Sequence, residues 1–307
     1  MCRLAIVIPF FKIDFFEETI KSLSNQTNKN FKLYIGNDGS PNDPYPLIIK
    51  YFDDEKFEYY NYKENFGGTD IARQWERILE NVKEEWFVIL GDDDFIENNF
   101  VEKFYTHLQN LKADINVFKV NTTLVDGQGK EIKSIMNSFN AQYYSSLEFA
   151  IMKINRRVNS SLSEHIFRLS KFKITGFPFY PLAWNTDDMI ILKMSDYKLL
   201  YFIPDSRVYV RIFDGSVTGS SNNLEKKAES YEKFLIDVAK DFNTYNVPVK
   251  HIDKFINSVW RQKGNNYSHI IKKMYAYQGI LGLIKYYFIL PYRISYSFIR
   301  NIYRMFK

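Results

Sequence analysis

Trp86-Phe87-Val88-Ile89-Leu90-Gly91-Asp92-Asp93-Asp94 is the stretch on which the reading of this chain turns. The apolar run has the length and content of a buried strand. It stops at Gly91, where the backbone turns without a side-chain clash. Three carboxylates at the end of a buried strand repel one another and are costly to desolvate. A hard divalent cation, Mg2+ or Mn2+, removes that cost by taking carboxylate oxygens, and in turn holds phosphates. The stretch therefore points to a metal site for a nucleotide-linked substrate. The competing reading is an acidic turn, with Asp94 as N-cap of a helix from Phe95 onward.

Outward from this strand, the pattern repeats. Leu4 to Ile8 is a near-continuous apolar run ended by Pro9, the signature of a central parallel strand. Asp14 to Leu23 reads as a helix with Asp14 as N-cap. Phe31 to Ile35 is a second strand, closed by the turn residues Gly36 to Asp43. Leu47 to Phe52 is a short helix and Phe57 to Tyr62 a third strand. The loop Asn65-Phe66-Gly67-Gly68-Thr69-Asp70 opens a helix from Ile71 to Val82, and a further helix is expected over Glu97 to Leu111. Strands alternating with helices predict an α/β fold with a mainly parallel sheet. Ligands bind at the carboxyl ends of such strands, where Pro9-Phe10-Phe11, Asn37-Asp38-Gly39 and the acidic triplet all fall. From Ile115 the pattern turns antiparallel, across Asp126-Gly127-Gln128-Gly129. Leu147 to Ile154 is a helix, and Ile166 to Leu169 a strand. Thr186-Asp187-Asp188 precedes a helix at Met189 to Tyr197. Leu200 to Ile203 and Arg207 to Phe213 read as two strands, and Glu225 to Phe242 and Ile252 to Gln262 as helices.

The 307 residues allow one large or two smaller domains. The aromatic content of 18% argues against extensive disorder. A single cysteine, Cys2, excludes an internal disulfide framework and a cysteine-rich metal site. No signal-peptide pattern opens the chain and no apolar run reaches ~18 residues, so a cytoplasmic protein without a spanning helix is expected. The net charge of +5 is unevenly spread. From Lys254 to Lys307 there are ten basic residues and no acidic one; the rest of the chain holds 31 basic and 36 acidic residues. A mildly acidic body thus carries a basic tail.

Several motifs, in order, resemble the family 2 glycosyltransferases, over roughly residues 3 to 220. Ile8-Pro9-Phe10-Phe11 is similar to the family's opening strand. The segment from Ser22 to Ser40 looks like its loop and "DDGS" strand end, with Asn37 in place of the first acid and Asp38 as the second. Gly67-Gly68 with Ala72-Arg73-Gln74 resembles its "G…ARN" helix start. Leu90 to Asp94 is similar to its "LDxDD" metal motif, and Thr186-Asp187-Asp188 to its "TED"-like motif. The resemblance implies a GT-A (Rossmann-like) fold: a mixed, mainly parallel sheet flanked by helices over 1–222, with a basic helical C-terminal extension over 223–307. It implies an inverting, metal-dependent, hexosyltransferase-type enzyme. The donor is a nucleoside diphosphate sugar, with UDP expected, and the acceptor a saccharide or lipid-linked saccharide in surface polysaccharide or glycan assembly. Two positions depart from the pattern. Gly91 stands where the family has an aspartate, and Phe213 where many relatives have a histidine.

The roles follow residue by residue. Asp93 matches the family's principal Mn2+ or Mg2+ ligand, and Asp92 is expected to serve the ribose hydroxyls and, second, the metal. Asp38 is expected to accept from a base N–H, which suits uracil. Pro9 and Phe11 line the base, and Arg73 pairs with a phosphate. Asp188 matches the family's base, with Asp187 contacting the acceptor or orienting the helix start; a positioned carboxylate of this kind accelerates attack by ~10^2–10^4. In the tail, thirteen aromatic residues lie among the ten basic ones. Basic amphipathic helices with aromatics lie on anionic bilayers, so peripheral attachment to the inner membrane face is expected. A helical lid on the catalytic domain is the other reading, and no nucleic-acid motif is present. The competing function is an inactive GT-A-fold scaffold at the membrane that binds nucleotide sugar or glycan.

Overall fold

The computed structural model describes residues 2–67, 69–134, 141–213, 223–289 and 291. The chain begins with β1 (Leu4–Phe10), α1 (Phe16–Ser24), β2 (Lys32–Asp38), α2 (Tyr45–Tyr51), β3 (Phe57–Tyr62), α3 (Ile71–Leu79) and β4 (Trp86–Ile89). It continues through β5 (Phe95–Ile96), α4 (Phe100–Gln109), β6 (Val117–Val125), β7 (Glu131–Ser134), β8 (Tyr143–Ser145) and α5 (Ser146–Ile154). Then come β9 (His165–Arg168), α6 (Leu169–Thr175), α7 (Thr186–Met194) and β10 (Leu199–Arg211). Three helices follow, α8 (Leu224–Thr244), α9 (Val249–Lys263) and α10 (Ser268–Ala276), and residues 279–289 are helical.

The strands form one sheet in the order β3-β2-β1-β4-β9-β6-β10-β5, with β7 added to β6 and β8 to β10. β1, β2, β3, β4, β6 and β10 share one direction, and the strands running against them are short. The sheet is therefore mixed but mainly parallel, as the apolar runs predict. Leu4 to Ile8 are wholly buried because the sheet is covered on both faces. One face packs Phe16, Ile20, Phe100 and Phe104; the other packs Ile78, Leu79, Phe172 and Ile190.

Several boundaries differ from the sequence reading. The residues after Asp94 enter the short strand β5, so Asp94 caps no helix. β10 is one strand with a register shift between Ile203 and Arg207, not two; Pro204 lacks an N–H for the ladder, and the irregularity absorbs it. Asp187 and Asp188 sit in the first turn of α7 rather than before it. Asp14 is displaced as N-cap of α1 by Phe15, which offers no side-chain acceptor.

α8 to α10 do not stand apart. Phe234, Phe255, Ile271 and Tyr275 share one apolar cluster with Leu147 of α5 and Met189 and Leu192 of α7. Tyr180 and Tyr197 donate to Asp237 and Asp241 of α8, at 3.1 and 3.2 Å. Residues 292–307 of the basic tail, Gly68 of the loop before α3, and residues 214–222 lie outside the described residues.

Candidate active site

A cavity of about 660 Å3 opens at the carboxyl ends of β1, β2 and β4, as the topology of an open parallel sheet dictates. Pro9, Phe11, Asp38, Asp92, Asp93, Asp187 and Asp188 all line it. Arg73 does not: its guanidinium lies 4.1 Å from the Phe66 ring centroid, on the exposed side of α3. The arginine beside Asp38 is Arg77, one helical turn on, 2.5 Å from its Oδ1. Asp38 also accepts from the Phe66 and Gly67 N–H groups, at 2.8 and 2.6 Å. Burial nevertheless raises its pKa above the ordinary carboxylate value.

The acidic triplet divides into three jobs. Asp92 Oδ2 accepts from both the Phe11 and Lys12 N–H groups at 2.7 Å, which holds the end of β1 in its turn. Burial, and then the neighbouring Asp93, push its pKa up to about 7. Asp94 is fully engaged: Ser163 Oγ donates to one oxygen at 2.6 Å and the Arg211 N–H to the other at 3.0 Å. Asp93 faces the cavity, and burial raises its pKa too, against the pull of Lys12 and Arg211. Among the described residues no three His, Cys, Asp or Glu side chains form a group that holds a metal ion. What the site offers is two carboxylates whose ionised form is short of positive charge. That suits Mg2+ or Mn2+, which bind one or two carboxylates and leave the remaining positions to water and substrate phosphates. The residues present therefore fit a hard cation at Asp93 and Asp92, while each oxygen of Asp94 already has a protein donor.

Across the cavity, Lys153 of α5 reaches both acids that open α7. Its Nζ lies 2.7 Å from Asp187 and 2.6 Å from Asp188. Asp188 also accepts from Asn185 Nδ2 at 2.7 Å. Burial and then Asp188 raise the Asp187 pKa to about 6, against the pull of Lys153. Burial alone would depress Lys153, but the two acids outweigh it and hold the ammonium above its ordinary value. The segment before α7 is strained: Leu182, Ala183 and Asn185 all have positive φ, at 59°, 49° and 64°. Non-glycine residues held there cost ~1–3 kcal/mol each and persist where packing over-determines them. Ser230 Oγ of α8 donates to the Trp184 carbonyl and helps to fix the segment.

The sequence profile of the family described as "Glycosyl transferase family 2" matches residues 5–175, more than half of the chain. The chain is a member of glycosyl transferase family 2. An "Uncharacterized glycosyltransferase" of Haemophilus influenzae (strain ATCC 51907 / DSM 11121 / KW20 / Rd) is 25% identical to this glycosyltransferase over 226 residues, 73% of this chain and 84% of that one. "Glycosyltransferase GlyA" of Streptococcus pneumoniae serotype 4 (strain ATCC BAA-334 / TIGR4) is 26% identical over 116 residues, 38% of this chain but only 16% of that protein's length. Among solved structures, residues 1–349 of S. aureus TarS in complex with UDP-GlcNAc superpose with a TM-score of 0.70 at 14% identity, covering 90% of this chain and 81% of that one. The likeness shows the GT-A fold of this glycosyltransferase.

Three residues of the site escaped the sequence reading. Lys153 is a lone cation on a short apolar helix, the one signal that marked it. Arg211 lies buried at the end of β10, donating to the Asp93 and Asp126 carbonyls and pairing with Glu18. A charge inside the strand reading Val-Tyr-Val-Arg-Ile was its trace. Arg77 had no signal beyond lying one turn past Arg73. Phe213, the position of the expected histidine, packs on Phe15 with Lys12 over its ring at 5.1 Å.

Proposed function

We propose that this glycosyltransferase is an inverting enzyme that moves a sugar from a nucleoside diphosphate, with UDP favoured, to a hydroxyl of a saccharide or lipid-linked saccharide in surface polysaccharide or glycan assembly. The observation that carries the reading is a single cavity with the strand-end acids Asp38, Asp92 and Asp93 on one side and Asp188 on the other. The acceptor oxygen attacks the anomeric carbon while its proton passes to Asp188. The bond from that carbon to the diphosphate oxygen breaks, and the nucleoside diphosphate leaves with the electron pair. Attack opposite the leaving group inverts the configuration. Lys153 and the Asn185 amide hold Asp188 in place. A cation at Asp93 and Asp92, when bound, neutralises charge on the departing diphosphate. A carboxylate has about four acceptor positions; Asp38 uses three within the protein and keeps one for an imide N–H of uracil. Phe11, 37% exposed, offers its ring to the base. The TarS complex with UDP-GlcNAc on the same fold favours a UDP sugar here.

The reading includes a division into a catalytic part, 1–222, and a helical extension, 223–307. It also places the chain peripherally on the inner face of a membrane. Among the described residues no helix is long and apolar enough to cross one. The helical segment 279–289 instead exposes Ile280, Leu281, Ile284, Tyr287 and Phe288, at the spacing of one helix face.

The test is a thermal-shift panel of UDP-, dTDP- and GDP-sugars with and without Mn2+, paired with transfer assays on Asp188→Asn. A UDP sugar should stabilise the wild type most, and more with Mn2+. Asp188→Asn should keep that stabilisation and lose transfer by ~10^2–10^4. No response to any nucleotide sugar would sink the donor reading; wild-type transfer by the variant would reject the base.

A further inference from the structure

The helix that carries Asp187 and Asp188 is gripped from outside by α8. Lys227, Ser230, Phe234, Asp237 and Asp241 follow one another along α8 in steps of three and four, so they form one stripe of the helix. That stripe meets α7 and residues 180–185, which lead into it. The Lys227 ammonium stands 4.5 Å from the Trp184 ring centroid, and Ser230 Oγ donates to the Trp184 carbonyl. Phe234 shares an apolar cluster with Met189 and Leu192. Asp237 accepts from the Tyr180 hydroxyl at 3.1 Å. Asp241 accepts from Tyr197, just past the end of α7, at 3.2 Å and lies 3.7 Å from Lys193 in the last turn.

One contact of the stripe falls beside the assigned base. Ser230 is wholly buried. A helix serine commonly returns its hydroxyl to the carbonyl four residues back; this one reaches across to another element. The carbonyl it holds belongs to the peptide that joins Trp184 to Asn185, the N-cap residue of α7. An asparagine at an N-cap ordinarily accepts from a helical N–H two or three residues on. Asn185 makes no such bond and sits at φ 64° and ψ 8°. Its Nδ2 donates to Asp188 Oδ2 at 2.7 Å instead, and its buried Oδ1 has no hydrogen-bond partner among the described residues. The cap and an unstrained backbone are both forgone for one contact with Asp188. Such strain, shared with Leu182 and Ala183, persists only under restraint from the surroundings, and the Ser230 hydroxyl acts on the very peptide that aims Asn185.

We propose that Ser230 is a positioning residue for sugar transfer: by fixing the Trp184–Asn185 peptide it keeps the Asn185 amide on Asp188, and so makes α8 a working part of the active site. The proposal rests on the assignment of Asp188 as the base. Ser230 itself lines neither cavity, so it acts through Asn185 alone. Without its hydroxyl the peptide turns, Asn185 reverts to capping α7, and Asp188 loses a donor that orients it.

The test is a double-mutant cycle on the full chain, read by release of UDP from UDP-GlcNAc or UDP-glucose, whichever is turned over faster, with water as acceptor. Ser230→Ala and Asn185→Ala should each lower kcat by ~10–10^2-fold, the loss expected when a reacting group is misplaced, with KM for the UDP sugar within about twofold of wild type. The double variant should be no slower than Asn185→Ala, because the serine works only through the asparagine. Ser230→Thr, which keeps a hydroxyl, should recover most of kcat. Where Ser230→Ala does not fold, Tyr180→Phe takes its place in the cycle with the same expectation, since it removes only the hydroxyl bound to Asp237 at the other end of the segment. Wild-type kcat in Ser230→Ala, or losses that multiply in the double variant, overturns the proposal. A crystal structure of the alanine or phenylalanine variant decides independently of turnover: Asn185 should have left Asp188, and an Asn185 still bonded to it overturns the proposal as well. Wild-type turnover by Asp188→Asn overturns the base assignment, and the proposal falls with it.

Discussion

Lys153 holds two acids at once, with less than a quarter of its side chain exposed. Replacing it by Met leaves two largely buried carboxylates without a counter-charge, which costs ~3–5 kcal/mol for a broken buried pair. Denaturant unfolding of Lys153→Met should show a loss of that order. Mutual repulsion then also raises the proton affinity of the pair, so the acid limb of the rate-against-pH profile should move upward. Lys153→Arg should restore much of both; a profile unchanged in the Met variant would show that Lys153 does not tune the base. At this scale the sequence announced acids and hid their tasks. Asp92, Asp93 and Asp94 look alike on the page, yet one clamps backbone N–H groups, one faces the cavity and one is tied to Ser163 and Arg211. Which way a carboxylate turns depends on partners about 70 to 120 residues away, and no local pattern encodes that. Gly91 illustrates the same limit: a Cβ there would lie 2.9 Å from Asp93 Oδ1 and 3.1 Å from Asp94 Oδ2. The glycine gives these carboxylates their room, so the departure from the family motif belongs to the packing of the triplet.

Among elements, β6 and the turn into β9 bring a wholly buried ionic cluster under the cavity wall. Lys119 of β6 lies 3.0 Å from Glu164, which also accepts from the Ser161 N–H at 2.9 Å and so steadies the loop that lines the cavity. His165 Nδ1–H donates to the Ser161 carbonyl at 2.9 Å, and its Nε2 has no hydrogen-bond partner. Burial lowers the His165 pKa to about 3. The folded protein therefore binds fewer protons here than the unfolded chain between pH 6.5 and 3. Stability from this group is complete above pH 6.5 and is lost as pH falls toward 3, by ~1.4 kcal/mol per unit in mid-range. The raised carboxylates Asp92 and Asp187 titrate in the same range with the opposite sign, so the difference between proteins is the readout: from pH 7 to 4 the slope of unfolding free energy against pH should be more positive in the wild type than in His165→Gln by ~1.4 kcal/mol per unit at most, and equal slopes would disprove the assignment. The strands of the parallel half were legible because buried strands leave continuous apolar runs. α6 was not, since its seven residues follow a strand without a cap or a long periodic pattern. Lys119 was hidden by its own rule, as a charge between Phe118 and Val120 reads as solvent-facing until Glu164 is seen opposite.

Across the whole molecule, the shift to basic and aromatic residues near Lys254 suggested an appendage. The described helices α8 to α10 share a core with α5 and α7, which is the packing that the lid reading of the tail expects. Amphipathic spacing tells that a helix has a buried side, but not which surface it meets. Among the described residues, a run of exposed apolar side chains on one helix face lies beyond Ala276. Removing residues 277–307 should thus spare the core residues Ile271, Met274 and Tyr275 and abolish co-sedimentation with phosphatidylglycerol vesicles. Undiminished sedimentation of the truncated chain would refute the membrane role.

The union of α8 with the strained segment before α7 has a consequence for how the gene product tolerates being cut. What joins the two parts is interlocked side chains more than the peptide thread between them. Co-expressed as separate polypeptides, residues 1–213 and 223–307 should reassemble by complementation and copurify, whereas the longer fragment alone should precipitate with the apolar faces of α5 and α7 uncovered.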